Sequence, residues 1–232
     1  MAESPALSAT HLVLLPSYNS GAMLHRVVEA VAKEWRPVWV VVDASTDDSE
    51  KALGPLLEEL SHVRCIVLPE NVGKGGAVLA GMKEALAQGY THALVMDADG
   101  QHSVDAVRPF LDRSIRAPEA MLLGEPIFSA DAPMERVKGR RVGNWWANLA
   151  TLWGGIHDSL FGFRVYPIAE SVTILDSIRT ARRFDFDTEL AVRLYWRGVR
   201  PINIPVPVCY PPREAGGTTH FRYLRDNLLL VG

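Results

Sequence analysis

Short, nearly continuous apolar runs alternate with amphipathic stretches through the first half of the chain. HLVLL (11–15), VWVVV (38–42), VRCIVL (63–68), HALVMD (92–97) and AMLLG (120–124) are brief, largely β-branched or aliphatic, and bounded by polar residues, which predicts strands. Between them, helices are predicted from about Ala22 to Glu34, Asp48 to Leu60, Gly75 to Ala87 and Val104 to Ile115. Strand and helix in strict alternation imply βαβ units around a parallel sheet. Strands that lack an apolar–polar alternation imply a sheet covered on both faces.

The rhythm changes after residue 124. Residues 134–153 read as one long helix with Trp145, Leu149, Leu152 and Trp153 at helical spacing, and with Arg136, Lys138, Arg140 and Arg141 in its first half. FGFRVYP (161–167) reads as a strand and TELAVRLYWRG (188–198) as a helix closed by Gly198. The prolines of RPINIPVPV (200–208) predict an edge strand, and PPREAGGTTH (211–220) predicts a loop. No repeat or linker interrupts the pattern, so residues 1–232 are expected to form a single α/β domain.

Composition narrows the function. A chain of 232 residues, 48% hydrophobic and 22% charged, can bury a substantial core. Its net charge of −3 argues against a general nucleic-acid binder. Cys65 and Cys209 fit no metal spacing or disulfide framework and are expected to be buried free thiols in a reducing, cytoplasmic protein. The first residues, MAESPALSATH, lack the features of a signal peptide, and no apolar run reaches the ~18 residues of a membrane span.

The polar residues gather where a parallel sheet binds ligands, outside the carboxyl ends of its strands. The first four strands run into Pro16-Ser17-Tyr18-Asn19, Asp43-Ala44-Ser45-Thr46-Asp47, Glu70-Asn71-Val72-Gly73-Lys74-Gly75-Gly76 and Asp97-Ala98-Asp99-Gly100-Gln101-His102. Two carboxylates two residues apart at the end of a buried strand repel each other and resist desolvation. A divalent cation resolves both costs, and oxygen ligands suit Mg²⁺ or Mn²⁺. The competing assignment for Asp97 and Asp99 is a solvated helix cap. The glycine-rich segment is neither a Walker A loop nor a dinucleotide fingerprint, but it can open a helix whose N-terminus and Lys74 face an anion. Asp43 can accept hydrogen bonds from a ribose or base, or cap a helix. Asp158 suits a turn, and Arg164, inside an apolar strand, needs a phosphate or an internal carboxylate.

Taken together, PSYN, VVDASTDDS, NVGKGGAVLAG, DADGQH, Asp158 ahead of GFRVYP, FDFDTEL and a closing Arg213-x-x-Gly-Gly loop resemble family 2 glycosyltransferases. The chain is most similar to the polyprenyl-phosphate, dolichyl-phosphate mannose synthase-like branch, from about Leu12 to Phe221. The resemblance implies a GT-A fold, Rossmann-like and mostly parallel. A nucleotide-sugar half would cover about 10–124 and an acceptor half about 125–232. It implies inverting transfer from a UDP- or GDP-sugar. Pro16, Tyr18, Asn19 and Asp43 would hold the nucleoside, and Lys74 and Gly75 would face the phosphates. Asp97, Asp99 and Gln101 would meet the metal. Asp158 would lie near the acceptor as its base, Arg164 near the acceptor or diphosphate, and Arg213 and His220 on a closing loop. The family's second motif has an acid and a glycine where this chain has Val42 and Ala44, and its first often has Glu where Ser20 stands; both departures touch the donor pocket.

The reading is therefore a metal-dependent hexosyltransferase acting on a lipid-linked or polyprenyl phosphate acceptor. The basic and tryptophan-rich residues 134–153 suit contact with an anionic membrane, at its inner face, and equally suit a core helix with a solvated charged side. The alternatives are a nucleotidyltransferase, which also uses paired carboxylates, and a non-catalytic nucleotide-sugar-binding protein.

Overall fold

The computed structural model describes residues 5–128, 143–178 and 186–208. In it β1 (His11–Ser17), α1 (Gly21–Glu34), β2 (Val38–Val42), α2 (Ser49–Glu59), β3 (Val63–Val67), α3 (Lys74–Ala87) and β4 (His92–Met96) follow one another as the apolar pattern predicts. A short 3₁₀ turn at Val104–Ala106 leads into α4 (Val107–Ile115) and then β5 (Ala120–Ile127). Residues 143–150 form α5, followed by β6 (Phe163–Pro167), α6 (Ile168–Ser177), α7 (Phe186–Trp196) and β7 (Arg200–Pro207).

The seven strands make one sheet in the order β3-β2-β1-β4-β6-β5-β7. β1, β2, β3 and β4 are mutually parallel, and β5 runs parallel to β7. Among the described strands β6 alone is reversed, antiparallel to both of its neighbours. Residue alternation sends Val13, Leu15, Val38, Val40 and Val42 into the layer shared with α1, α2 and α4. Leu12, Leu14, Trp39 and Val41 enter the opposite layer, with α3, α6 and α7. Each such fully buried side chain contributes about 1.5–3 kcal/mol of transfer free energy, which is why β2 is apolar throughout and β1 and β4 are apolar at most positions. Pro16 is tolerated because the β1–β4 ladder stops at Leu14 opposite Val95, so its missing N–H breaks no rung on that side.

Three features differ from the sequence reading. α6 was not anticipated: Ile168, Val172 and Leu175 stand at helical spacing, but its start coincides with the end of β6 at Pro167, which hides the boundary between the two elements. The long helix predicted for 134–153 is helical over 143–150 among the described residues, and Leu152 and Trp153 take left-handed backbone angles instead of continuing it. Cys65 is half-buried in β3, and burial pushes its thiol up to about 11, consistent with an inert thiol. Cys209 and the predicted 211–220 loop lie outside the described residues.

At the edge where β1 and β4 begin, His11 and His92 stack face to face with ring centroids 4.5 Å apart. His11 Nε2 is held by Ser114 Oγ at 3.1 Å, and His92 Nε2 donates to the Pro118 carbonyl at 2.9 Å. Burial, with His92 as its neighbour, lowers His11 to about 4, and burial also lowers His92. A base whose folded pKa lies below its unfolded value stabilises the fold fully above about pH 6.5, and that stability is lost as pH falls toward 4. Chemical denaturation should therefore show the protein roughly 1–2 kcal/mol less stable at pH 5 than at pH 7. His11→Gln should shrink that difference; an unchanged pH slope in the variant would refute the assignment.

Candidate active site

Because β6 runs backward, its first residue sits beside the last of β4, with Phe163 opposite Met96. The segment that precedes β6, from Asp158 to Gly162, therefore arrives at the edge where β1 to β4 end. α7 begins at Asp187's turn on this same edge, as the bond between Lys74 and Asp187 shows. β7, parallel to β5, delivers Val208 there as well, where it bridges to His102. The sheet thus gathers residues separated by more than a hundred positions, such as Lys74 and Asp187, 113 apart, around Asp97 and Asp99.

Asp97 leaves the end of β4 with its carboxylate between Lys74 and His102. Lys74 Nζ is 2.6 Å from its Oδ1, and His102 Nε2 is 3.6 Å from its Oδ2. Burial disfavours its charge, yet Lys74 and His102 together hold Asp97 well below the usual carboxylate range, although 33% of its side chain remains accessible. Asp99 forms no ion pair among the described residues, and Lys74 and His102 act on it more weakly than its burial and Asp97 do. Its Oδ1 accepts the Gln101 backbone N–H at 2.9 Å, and burial followed by the charge of Asp97 raises its pKa. The pair is thus half-neutralised: Asp97 is balanced within the protein, and Asp99 faces an unmet demand for positive charge.

Lys74 is the first residue of α3 and bridges to Asp187 Oδ2 at 3.0 Å. Burial opposes its charge, but Asp187 and Asp97 raise its pKa above the ordinary lysine value. Its ammonium also lies 5.5 Å from the Phe186 ring centroid. Asp187 was quoted in the FDFDTEL motif but not singled out by sequence reasoning; only a fold that juxtaposes α3 and α7 reveals its role. Gly162 is the second such residue. A Cβ there would stand 2.5 Å from Asp97 Oδ2 and 2.9 Å from Lys74 Nζ, so a side chain would intrude directly on the ion pair.

The expected donor residues meet one another across the edge. Asp43, buried at the end of β2, accepts the Val72 and Gly73 N–H groups at 2.8 and 2.9 Å, one on each carboxylate oxygen. Gly73 has φ +81°, a left-handed angle that costs a side-chain-bearing residue about 1–2 kcal/mol and turns the chain into α3. Asn19 accepts the Thr46 N–H at 2.8 Å and donates its own N–H to Ser45 Oγ at 3.0 Å. Pro16 is buried, Tyr18 is exposed, and Gly75 is buried in the first turn of α3. These contacts clasp the first, second and third loops into one rim.

The loop before β6 is held just as firmly. Asp158 Oδ1 accepts the Leu160 and Phe161 N–H groups at 2.9 and 2.7 Å, the geometry of a turn-forming aspartate. Arg164 is fully buried and donates to the carbonyls of Phe161, Asp158 and Asp187 and to the Tyr166 hydroxyl, at 2.7–3.1 Å. The anionic partner expected from sequence is replaced by these four oxygens, so Arg164 ties the Asp158 loop to the start of α7 and its guanidinium does not face the open edge. Arg213 and His220 fall outside the described residues.

A carboxylate pair at the end of β4, with the start of α3 beside it, lies where open α/β sheets receive ligands, outside the carboxyl ends of their strands. The model of glycosyl transferase family 2 matches residues 12–168, and this chain belongs to that family. It is 28% identical to the polyprenol monophosphomannose synthase of Mycolicibacterium smegmatis, over 88% of this chain and 78% of that protein. It is 27% identical to the undecaprenyl-phosphate mannosyltransferase of Micrococcus luteus, over 88% and 85%. Among solved structures, glucosyl-3-phosphoglycerate synthase from Mycobacterium tuberculosis superposes with a TM-score of 0.62 at 17% identity, covering 90% of this chain and 76% of that one. The same enzyme with Mn²⁺ and UDP-glucose matches with a TM-score of 0.60 at 17% identity, over 89% and 73%. At that identity the likeness establishes the shared GT-A fold.

Proposed function

We propose that this chain transfers a sugar, with inversion, from a UDP- or GDP-sugar to a polyprenyl- or dolichyl-type phosphate, with Mg²⁺ or Mn²⁺ as cofactor. The observation that carries the reading is the half-neutralised pair: Asp99 is raised by burial and by Asp97, while Asp97 already has Lys74. Among the described residues no three His, Cys, Asp or Glu side chains are gathered into an all-protein metal cage. That suits Mg²⁺-type ions, which take one or two carboxylates and complete their shell with substrate phosphates and water. Asp97, Asp99 and Gln101 would hold the ion; when bound, it supplies neutralisation of the departing diphosphate's charge.

In this reading the donor half spans about 10–124 and the acceptor half about 125–232. Pro16, Tyr18, Asn19 and Asp43 form the nucleoside rim. Lys74, Gly75 and the amides opening α3 face the diphosphate, with Arg213 closing over it. The Asp158 loop, locked by Arg164, forms the acceptor side, and Asp158 serves as base where the acceptor is a hydroxyl. A phosphate acceptor arrives already anionic and needs no proton removed. The relatives named for polyprenol and undecaprenyl phosphate support such an acceptor, and the protein would then work at the cytoplasmic side of a membrane. No described helix is long and apolar enough to cross one.

Titration calorimetry with UDP and GDP, each with Mn²⁺ and with EDTA, tests the reading. Binding of one nucleotide should require the ion, because without it a diphosphate meets two carboxylates. Tight binding unchanged by EDTA would overturn the metal assignment, and no binding of either nucleotide would overturn the donor class.

A further inference from the structure

Asp97 and Glu125 stand in one row of the sheet, with Gly162 between them. The β4–β6 register pairs Met96 with Phe163, so Asp97 falls opposite Gly162 one step on. The β5–β6 register pairs Leu123 with Arg164, so Glu125 falls opposite Gly162 two steps on. The close contacts agree. A Cβ on Gly124 would meet the Phe163 carbonyl at 2.7 Å, and one on Gly162 would meet Asp97 Oδ2 at 2.5 Å. Side chains alternate along a strand. Val95 and Leu123, two residues before Asp97 and Glu125, are both buried in the layer of α3, α6 and α7, so the two carboxylates rise from the same face. Their backbones are two strand spacings apart, about 10 Å, and the residue between them has no side chain. The sheet edge thus forms a notch floored by Gly162 and walled by a carboxylate on each side.

The far wall is pre-organised. Glu125 Oε2 lies 3.1 Å from His157 Nδ1; an ionised carboxylate can only accept, so the imidazole donates from Nδ1. His157 is fixed through its backbone, whose N–H donates to Asn203 Oδ1 at 3.1 Å, while Asn203 Nδ2 donates to the Gly155 carbonyl at 2.6 Å. Asn203 is the β7 partner of Leu123, so the sheet that supplies Glu125 also holds the residue that orients it. The pair stays open to a ligand, with Glu125 45% and His157 56% exposed. Asp158 and Arg164, by contrast, are buried and use hydrogen bonds to shape the loop itself.

We infer that this notch is the subsite for the transferred sugar, and that Glu125 selects among sugars by accepting hydrogen bonds from their hydroxyls. The inference rests on the proposed nucleotide-sugar donor and names where its sugar is read. A diphosphate held at Asp97 and Asp99 places the attached sugar beside them, and the gap over Gly162 opens there. The far wall disfavours a phosphate, which Glu125 would repel, and suits a neutral polyol: the carboxylate accepts from hydroxyls while the imidazole holds it in place. A site built to hydrogen-bond a hydroxyl rejects a sugar that lacks it or turns it away, because the site's own polar group is then left unpaired.

The test is titration calorimetry of the Mn²⁺-loaded protein with UDP- and GDP-linked glucose, mannose and N-acetylglucosamine, beside UDP and GDP alone. Glu125→Ala should weaken the preferred nucleotide-sugar about tenfold and flatten the preference among sugars, while the bare nucleotide stays within about twofold of wild type. His157→Ala should act in the same direction and less strongly, and Glu125→Gln should recover part of the affinity. A residue that only supported the fold would weaken bare nucleotide and nucleotide-sugar alike. Monodeoxy analogues of the preferred donor supply the second arm. Glu125→Ala should have no further effect on the analogue that lacks the hydroxyl Glu125 reads. An equal loss on every analogue, a loss shared by the bare nucleotide, or wild-type affinity in Glu125→Ala would overturn the inference and leave the donor class intact. So would a loss confined to the acceptor KM, which would assign the pair to the acceptor. If the wild type bound neither nucleotide, the donor class itself would be refuted, and the sugar subsite with it.

Discussion

Asp99→Ala should lower turnover by roughly a thousandfold, about 4 kcal/mol of barrier, while leaving the protein folded. Asp99 has its carboxyl pushed up by burial and by Asp97, and it accepts the Gln101 backbone N–H within its own turn. Little of the fold depends on it, and deleting it removes a like-charge repulsion, so the metal-free protein should unfold at the same temperature or higher. The loss should appear in kcat with the donor KM raised as well, because the cation this carboxylate would hold contacts the diphosphate in both ground and transition states. Steady-state kinetics beside thermal unfolding separate the cases. Near-normal turnover would make Asp99 a turn residue and remove the main support for the metal site.

The strands were legible because burial on both faces leaves little choice of residue, so β1, β2 and β4 stand out as unbroken apolar runs. The carboxyl-edge motifs followed from that, since parallel strands must end together. What sequence could not convey is direction. Nothing in FGFRVYP states that β6 runs against its neighbours, yet that reversal is what carries the Asp158 loop to Asp97. The partnership of Lys74 with Asp187, 113 positions apart, is invisible for the same reason: it belongs to the packing of α3 near α7 rather than to any local pattern. The tryptophans of 145–153 were ambiguous between core and surface because helical spacing reports a stripe without saying what covers it. The structure leaves all three exposed. Arg164 was expected to need a phosphate or an internal carboxylate; its hydrogen-bond partners are three carbonyls and a hydroxyl, which no motif encodes.

Lys74→Met should be the most destabilising single change at the site. The Lys74 side chain is 12% exposed, and its ammonium lies between the side chains of Asp97, 33% exposed, and Asp187, 6% exposed. Removing one partner of a buried ion pair leaves the other charge desolvated and unpaired, which costs about 3–5 kcal/mol; the accessibility of Asp97 brings this nearer to 2–4. Two independent changes should recover the loss. Adding Asp187→Asn removes the stranded carboxylate, so the double variant should be more stable than the sum of the single effects allows, a coupling visible in a double-mutant cycle. Adding Mn²⁺ should restore part of the stability in Lys74→Met, and more than it adds to the wild type, because Asp97 then has no internal cation competing for it. Denaturation curves of the four proteins, with and without Mn²⁺, decide the matter. If Lys74→Met matched the wild type in stability, or if its loss simply added to that of Asp187→Asn, the lysine would be a surface cation, and Asp97 would depend on the metal from the start.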